Sequence, residues 1–261
     1  MELGLKGRTA LITGGSKGIG LAVAEEFARE GVDLHLAARG EGELRAAASR
    51  LAQEYGVKVA PHAVDLSDRA ARDALARECA HVDILVNNAG AIPGGGIDAV
   101  SEDEWRAAWD LKLFGYVGIT RIVYQAMRRR RRGVIINVVG TGGVSTSGDY
   151  ICGGINNRAL IHFTIALGGA SVRHGVRVLG VNPGAVATER LARLHAARAA
   201  SFPGGPAAWR EAQAVRYAYG RPARPDEISG LVAFLASDRA SYISGCMTTV
   251  DGGAVARGGT L

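Results

Sequence analysis

Short apolar runs alternate with longer amphipathic stretches along most of the chain. The apolar runs predict strands at residues 8–13, 32–38, 57–64, 82–87, 133–139, 176–181 and 246–250. The amphipathic stretches predict helices at residues 18–30, 41–55, 68–79, 102–131, 155–173 and 226–237. Each crossover between parallel strands needs a covering helix. The alternation therefore predicts an α/β fold, a doubly wound parallel sheet with helices on both faces.

The length and organisation of the chain predict one domain. Its 261 residues are enough for one sizeable core, and no internal repeat or linker rich in serine and proline divides them. We therefore expect a single domain over residues 1–261. One irregular stretch, residues 191–225, is rich in alanine and arginine and is broken by Phe-Pro-Gly-Gly-Pro at 202–206. It lies beyond the carboxyl ends of the strands, where it is either a substrate lid or a disordered insertion.

The composition argues against several classes of protein. The 31 basic and 25 acidic residues give a net charge of +6, much of it from the arginine run at 128–132. That run follows a long helical pattern and precedes a buried strand, so it fits a solvated helix C-terminus better than a nucleic-acid surface. No apolar run reaches about 18 residues, and the first residues lack a signal-peptide core. We expect neither nucleic acid nor a membrane as a partner.

The cysteines and histidines show no spacing that would indicate a disulfide framework or a set of metal ligands. Cys79, Cys152 and Cys246 are an odd number without metal-ligand spacing, and the six histidines are scattered. From the sequence we expect no disulfide framework, no metal site and a reducing, cytoplasmic setting.

A glycine-rich turn follows the first predicted strand and opens the first predicted helix. It reads Thr-Gly-Gly-Ser-Lys-Gly-Ile-Gly over residues 13–20. Glycines there let the backbone approach a pyrophosphate, and the helix N-terminus supplies free N–H donors. Inside a strand–helix–strand unit, this turn indicates a dinucleotide site.

Further motifs follow in order along the chain. Asn-Asn-Ala-Gly at 87–90 follows the fourth predicted strand, Asn-Pro-Gly at 182–184 follows the sixth, and Ser-Gly at 244–245 precedes Asp-Gly-Gly at 251–253. With the turn at 13–20 they resemble the short-chain dehydrogenase/reductase family over essentially the whole chain. The resemblance implies a Rossmann-type sheet of about seven strands, a nicotinamide cofactor, a small-molecule substrate and a homo-oligomer, either a tetramer or a dimer.

The resemblance also implies the cofactor contacts, position by position. Gly14, Ser16, Gly18 and Ile19 would contact the pyrophosphate and adenosine, and Asp65 and Leu66 would flank the adenine. Asn87, Ala89 and Gly90 would border the adenosine ribose and the central phosphates. Pro183, Gly184, Val186 and Thr188 would hold the nicotinamide.

Charge at the end of the second strand indicates which cofactor binds. NAD-dependent proteins typically place an acidic residue there to accept from the ribose 2′-hydroxyl, whereas this strand ends in Arg39. Arg39 and Lys17 could both face a 2′-phosphate, so NADP(H) is favoured over NAD(H). The alternative is that both are ordinary surface charges.

The catalytic residues that the resemblance implies do not match this chain. The family uses a serine, a tyrosine, a lysine and an asparagine. Their positions here hold Gly140, Gly153, Asn157 and Lys112. Moving the register by three residues makes Tyr150 the tyrosine but puts a glycine at the lysine position, and no lysine follows Lys112. The sequence therefore predicts that the standard tetrad is missing.

A rebuilt site is one interpretation. Lys112 and Asn157 would have exchanged places, Tyr150 lies about one helical turn before the expected tyrosine, and an ammonium can lower the pKa of a nearby phenol. Thr141, or else Ser145 and Ser147, would orient the substrate oxygen. The protein would then be an NADP(H)-dependent oxidoreductase that transfers a hydride between nicotinamide and a carbonyl or alcohol, or a related C=N or C=C group.

Other interpretations stay open. Tyr116, one turn after Lys112, is a second phenol but fits a helix–helix contact better. His162 and His174 fit a helix surface or end better than a base. The protein could instead bind nucleotide without turnover, as a sensor, a scaffold or the partner subunit of an enzyme.

Overall fold

One parallel sheet organises the molecule. A computed structural model describes residues 2–217 and 219–257, apart from the side chains of residues 197, 198, 201 and 214–216. Its strands are β1 (Thr9–Thr13), β2 (Asp33–Ala38), β3 (Val59–Ala63), β4 (Ile84–Asn87), β5 (Gly133–Val138), β6 (Val176–Pro183) and β7 (Met247–Val250). They pair in parallel in the order β3-β2-β1-β4-β5-β6-β7. The predicted single-domain, doubly wound fold is confirmed.

Helices cover both faces of this sheet. They are α1 (Gly18–Arg29), α2 (Glu41–Tyr55), α3 (Arg69–Glu78), α4 (Glu102–Trp109), α5 (Gly115–Arg130), α6 (Ile151–Ser171), α7 (Glu189–Ser201), α8 (Gly205–Arg216) and α9 (Pro225–Ala236). Successive side chains of a strand point to opposite faces. Ile12 therefore packs in the core beneath α1, α2 and α9, while Leu11 packs in the core beneath α3 and α5. No helix in the described residues has the length and apolar character needed to cross a membrane.

Two helix predictions differ from the structure near the site. The predicted helix 102–131 is interrupted by a π-helical turn, Asp110–Phe114, between α4 and α5. A π turn breaks the regular helical period without breaking the amphipathic pattern, so the sequence did not reveal it. The predicted helix 155–173 begins earlier, at Ile151, because Gly153 and Gly154 interrupt the apolar period but are accommodated inside the helix.

The stretch predicted to be irregular is mostly helical. Within 191–225 lie most of α7 and the whole of α8. The Thr188 hydroxyl accepts from the Leu191 amide and so caps α7. The rings of His195 and Phe202 pack edge-on against the buried ring of Trp209, which joins the two helices. Residue 218 lies outside the described residues, and the lid role stays a prediction.

Adjacent glycines in α6 provide a matched test of this packing. A Cβ at Gly168 would overlap the Val178 carbonyl oxygen and the Gly245 amide, whereas a Cβ at Gly169 meets nothing within 4 Å. We expect Gly168→Ala to lower the free energy of unfolding by about 1–3 kcal/mol or more, because backbone must shift. Gly169→Ala should raise it by roughly 0.5–1 kcal/mol, since glycine is unfavourable inside a helix. Urea unfolding followed by circular dichroism measures both, and equal effects would contradict the packing described.

Candidate active site

A large crevice opens at the carboxyl ends of the strands, where the strand order reverses between β1 and β4. Its volume is about 1860 Å³, larger than the roughly 300–1,000 Å³ typical of sites for drug-sized ligands. Such a reversal is where open α/β sheets bind ligands. All but one of the cofactor residues predicted from the sequence line it, namely Gly14, Ser16, Lys17, Gly18, Ile19, Arg39, Asp65, Leu66, Ala89, Gly90, Pro183, Gly184, Val186 and Thr188. The predicted catalytic residues also line it: Lys112, Thr141, Tyr150 and Asn157.

Hydrogen bonds between β1 and β4 hold the floor of the crevice. The Thr13 hydroxyl accepts from the amides of Asn88 at 2.9 Å and Ala89 at 3.0 Å. The Asn88 side-chain amide donates in return to the Thr13 carbonyl at 3.0 Å and the Gly14 carbonyl at 3.3 Å. Gly14 has φ +67°, and a Cβ there would lie 2.9 Å from Asn88 Nδ2. This position therefore requires glycine.

The N-terminus of α1 faces the crevice with its amides available. Lys17 precedes the helix and makes no side-chain capping bond. Gly18 has φ +59°, and a Cβ there would lie 3.4 Å from Thr188 Cγ2 on the opposite wall. Uncapped amides at a helix N-terminus bind anions such as a pyrophosphate. The residues present therefore fit the phosphates of a dinucleotide.

Of the two basic residues predicted to select the cofactor, Lys17 forms an ion pair and Arg39 forms none with the described residues. Lys17 Nζ lies 3.1 Å from Glu43 Oε2 in α2. The Arg39 side chain is exposed, and no hydrogen bond or ion pair of its guanidinium is found within 2–217 and 219–257. The pKa of Asp65 is lowered, chiefly by the Ser67 hydroxyl and also by Arg39. Glu43 was not recognised in the sequence because it is 26 residues from Lys17.

Asn87 is the predicted cofactor residue that does not line the crevice. Its side-chain amide is buried and donates to Thr120 Oγ1 at 3.0 Å and to Asn137 Oδ1 at 2.9 Å. Asn137 in turn donates to Thr164 Oγ1 at 2.9 Å. The side chain of Asn87 thus joins β4 to α5 and β5 beneath the site, and Asn137 extends this network to α6. It does not reach into the crevice.

Lys112 lies in the π-helical turn with its ammonium buried. Its Nζ donates to the Val139 carbonyl at 2.7 Å and to Asn157 Oδ1 at 2.8 Å. Its methylene groups pack over Gly90, where a Cβ would lie 2.9 Å from Lys112 Cδ. Burial lowers the pKa of Lys112 to about 7, and the nearby Arg190 guanidinium acts in the same direction.

Tyr150 immediately precedes α6, and its ring lies over two glycines. A Cβ at Gly153 would fall inside the ring, and a Cβ at Gly142 would lie 2.9 Å from Tyr150 Cε1. Both glycines therefore make room for the phenol. Burial raises the pKa of Tyr150, and the cation that opposes this rise is Arg190. Lys112, the cation expected to lower it, directs its ammonium to Val139 and Asn157.

Two further polar groups meet the crevice beside the phenol. Asn157 Nδ2 lies 3.3 Å from the Cβ position of Gly140 and 3.4 Å from that of Gly142, so it borders the space that these glycines leave. Thr141 is fully buried, and its hydroxyl has no hydrogen-bond partner among the described residues. The Asn157 amide is therefore placed to bind a ligand oxygen, whereas the Thr141 hydroxyl is covered by protein in this structure.

The other hydroxyls and histidines near the site or on its helices form hydrogen bonds or contacts within the protein. Ser145 Oγ donates to the Thr141 carbonyl at 3.2 Å, and Ser147 Oγ accepts from the Asp149 amide at 3.3 Å. The Tyr116 hydroxyl is buried and donates to the Val138 carbonyl at 2.8 Å, and burial raises its pKa. His174 contacts the Tyr124 hydroxyl, at the far end of α6 from Tyr150.

Arg190 is a site residue that the sequence patterns did not indicate. It lies in the first turn of α7 and donates to the carbonyls of Gly90 at 2.7 Å and Ile92 at 3.1 Å. The guanidinium thereby joins α7 to the loop after β4 and places a positive charge near Tyr150 and Lys112. No spacing rule pairs it with residues 100 positions away.

Comparisons with known proteins agree over nearly the whole chain. A family model described as short chain dehydrogenase matches residues 8–199. The 3-oxoacyl-(acyl-carrier-protein) reductase FabG of Vibrio harveyi is 34% identical over 256 residues, covering 96% of this chain and 98% of that protein. The D-beta-hydroxybutyrate dehydrogenase of Cupriavidus necator is 31% identical over 260 residues, covering 97% and 100%.

A solved structure shows the same fold. L-sorbose reductase from Gluconobacter frateurii, complexed with NADPH and L-sorbose, matches with a TM-score of 0.90 and 32% identity, covering 98% of this chain and 99% of that one. These relatives are reductases and a dehydrogenase by name, which supports an oxidoreductase. Together with the family match and the glycine-lined crevice, they show that the chain belongs to the short chain dehydrogenase family.

Proposed function

We propose that this protein transfers a hydride between NADP(H) and a carbonyl or alcohol substrate, or a related C=N or C=C group, at a rebuilt active site. The observation that carries the proposal is the position of Tyr150. Its ring fills the space that Gly153 leaves, beside the Asn157 amide that Lys112 holds. In this proposal the family's serine, tyrosine, lysine and asparagine are replaced by Gly140, Gly153, Asn157 and Lys112, and the phenol enters from the residue before the helix.

The polar groups around this space divide the work of the reaction. When bound, NADPH supplies the hydride. Asn157 Nδ2 binds the carbonyl oxygen of the substrate, because it borders the space that Gly140 and Gly142 leave. The Thr141 hydroxyl, which is buried without a partner among the described residues, becomes a second donor to that oxygen after a local rearrangement. Tyr150 donates a proton to that oxygen as general acid. The Arg190 guanidinium, which already opposes the rise in the pKa of Tyr150, stabilises the phenolate that remains.

Lys112 acts as a positioning residue. Its two hydrogen bonds fix the orientation of the Asn157 amide, so that Oδ1 faces the ammonium and Nδ2 faces the substrate. In its charged form it also polarises that amide and favours negative charge on the substrate oxygen, since electrostatic effects are strong in a buried site. A pKa of about 7 means that both forms are present near neutral pH.

The preference for NADP(H) is supported by Arg39. Its guanidinium stands at the end of β2 without a hydrogen-bonding partner in the described ranges, and an arginine can bind a phosphate through two parallel hydrogen bonds. The sorbose reductase of the same fold is complexed with NADPH. Glu43 acts against this preference because its carboxylate pairs with Lys17 in the same part of the crevice.

Helices α7 and α8 form a substrate lid in this proposal, within the predicted 191–225 stretch. Leu191, Leu194 and Tyr217 line the crevice from this side. Arg190 fixes the first turn of α7 against the loop after β4. The lid therefore has one end anchored by Arg190, and it presents a mixed surface to the substrate, because Arg193, His195 and Gln213 also line the crevice.

The proposal also includes a homo-oligomer that pairs through the long central helices. Ile155 and Ile165, 10 residues apart on α6, are 46% and 45% exposed. In this proposal a second copy of the chain covers these two side chains, as in a symmetric dimer interface.

One observation favours a second candidate, a protein that binds nucleotide without turnover. Burial raises the pKa of Tyr150 instead of lowering it, which is unusual for a phenol that exchanges protons readily. Tight NADPH binding with no oxidation over a panel of carbonyl, imine and alkene substrates would support this candidate.

Removal of the Tyr150 hydroxyl tests the general acid. We expect Tyr150→Phe to lower kcat/KM for carbonyl reduction by roughly 10²–10⁴-fold, the usual contribution of a positioned acid. Tyr116→Phe is the matched control, because that hydroxyl donates to the Val138 carbonyl and the residue does not line the crevice, so the variant should retain activity. NADPH oxidation followed by absorbance measures both. Full activity in Tyr150→Phe would exclude this role.

The lowered pKa of Lys112 predicts a pH dependence. The ammonium favours negative charge on the substrate oxygen, so kcat/KM for reduction should fall as the pH rises through about 7 and Lys112 loses its proton. Lys112→Met should give lower activity without this inflection. A pH profile of NADPH oxidation in both proteins measures the effect, and an inflection that persists in the variant would assign it to another group.

Variants of Arg39 test the cofactor preference. Arg39→Ala should weaken NADPH binding by about tenfold or more, the loss of one charge-assisted interaction, and should leave NADH binding unchanged. Arg45→Ala, which removes a charge that pairs with Glu41 on the surface of α2, is the control. Fluorescence titration with both nucleotides measures the change. Equal losses for NADPH and NADH would contradict a role in binding the 2′-phosphate.

A further inference from the structure

Two histidines and a cysteine meet on the face of the sheet that α3 covers. His35 lies in β2, His62 lies in β3, and Cys79 directly follows α3. His35 Nδ1 is 2.9 Å from His62 Nε2, and Cys79 Sγ is 4.0 Å from the same nitrogen. The three ligand atoms all lie within 4.8 Å of one another. None of these residues lines the crevice, so the cluster is separate from the proposed active site.

The fold explains why the sequence did not reveal this cluster. In the register of β2 and β3, His35 pairs with Ala60 and Ala37 pairs with His62. Residues two apart on a strand share a face, so both rings point toward α3 and stack 5.2 Å apart. Cys79 is fully buried where α3 ends over this pair. Three separate elements supply the ligands, and no local spacing rule joins them.

The distances fit a tetrahedral ion. Zn–N bonds of about 2.0–2.1 Å and a Zn–S bond of about 2.3 Å place neighbouring ligand atoms roughly 3.3–3.6 Å apart in a tetrahedron. The observed separations of 2.9 and 4.0 Å lie on either side of this range. The remaining separation, between His35 and Cys79, is within 4.8 Å, so side-chain rotations that bring these two atoms closer would place all three at bonding distance of one ion.

The imidazoles and the thiol differ in how readily they can bind a metal. Burial lowers the pKa of both His35 and His62, which favours the neutral rings that offer a nitrogen lone pair. Burial raises the pKa of the Cys79 thiol to about 12, which opposes the thiolate, so the ion itself must displace this proton. Two imidazoles and a thiolate are ligands that zinc and its first-row neighbours prefer.

A carboxylate and a small depression lie near the cluster. Glu78 Oε1 lies 3.7 Å from His62 Nδ1, on the opposite side of the ring from the cluster. This separation is longer than a hydrogen bond, but a metal-ligating histidine commonly donates its other ring nitrogen to a carboxylate, and Glu78 is near enough to take that role after a small movement. His35 and His81 line a small depression at this edge of the sheet, which brings solvent next to His35.

We propose that His35, His62 and Cys79 bind one divalent transition-metal ion, with zinc the best fit, and that water completes the coordination. Binding forms two metal–nitrogen bonds and one metal–sulfur bond and releases the Cys79 proton to solvent. The ion joins β2, β3 and the end of α3, and its effect is on stability. The proposal does not depend on hydride transfer.

Cobalt(II) provides an optical test in the intact protein. Tag-free, reduced and chelator-treated protein is titrated with Co²⁺ and then with Zn²⁺. We expect one equivalent of Co²⁺ to produce a thiolate charge-transfer band and the d–d bands of a tetrahedral complex, and Zn²⁺ to bleach them. Proton release should accompany binding, and affinity should increase with pH. Zn²⁺ should also raise the thermal unfolding midpoint.

Matched variants decide whether these residues are the ligands. Cys79→Ser should abolish the charge-transfer band, whereas Cys246→Ser, which changes a cysteine near β7, should keep it. His35→Gln should weaken metal binding at least tenfold, whereas His174→Gln should not. Circular dichroism of the metal-free variants shows whether each is folded. If Cys79→Ser does not fold, metal binding by His35→Gln decides whether these residues are the ligands. Absence of the charge-transfer band in the unaltered protein, or its retention in Cys79→Ser, would overturn the proposal in favour of a hydrogen-bonded histidine pair.

Discussion

The site depends on one constraint: β1 and β4 must pair along their length and yet part at their carboxyl ends to admit a ligand. The paired region ends at Ile12 and Val86. Beyond it, Thr13 and Asn88 exchange hydrogen bonds that replace the missing ladder. Side chains thus satisfy backbone groups that a buried crevice would otherwise leave unpaired, which is costly. Gly14 then turns with a positive φ that clears Asn88, and the N-terminus of α1 faces the opening.

The buried ammonium of Lys112, beneath this opening, lowers the free energy of unfolding, and the same burial fixes its position in the site. Lys112 has its pKa lowered from 10.5 to about 7, so between these values the unfolded chain binds a proton that the folded chain does not. The contribution of this group to the free energy of unfolding therefore increases with pH over that range, and below about 7 the cost of burying its charge is fully present. The bonds to Val139 and Asn157 offset part of the cost. Such an arrangement is typical of a site residue, not of a core residue.

The sequence predicted the fold well because periodicity and turn motifs are local. The predicted bounds of one helix, Glu41–Tyr55, agree with the structure, since acidic residues begin it and a left-handed glycine ends it. The site was predicted less completely because its partners are far apart in the chain. Glu43 opposes Lys17, and Arg190 faces the phenol, only after the sheet has formed. The helical character of 191–225 was hidden by the glycines and prolines at 202–206, of which residues 202–204 separate the two helices and Gly205 and Pro206 begin the second.

Gly153 and Tyr150 are two parts of one rearrangement. The phenol occupies volume that a Cβ at Gly153 would enter, so the ring can lie here only because residue 153 has no side chain. Tyr150 also has non-helical backbone angles, φ −149° and ψ 39°, and bridges to Gly95 in the loop after β4. Its ring therefore approaches from the end of α6, held by a loop, whereas a tyrosine at 153 would project from the helix itself. Because Arg190 is bound to that same loop at Ile92, movement of α7 would change the position of the phenol and of the cation that acts on its pKa together. In the proposed enzyme, closure over substrate and alignment of the acid are thus mechanically linked.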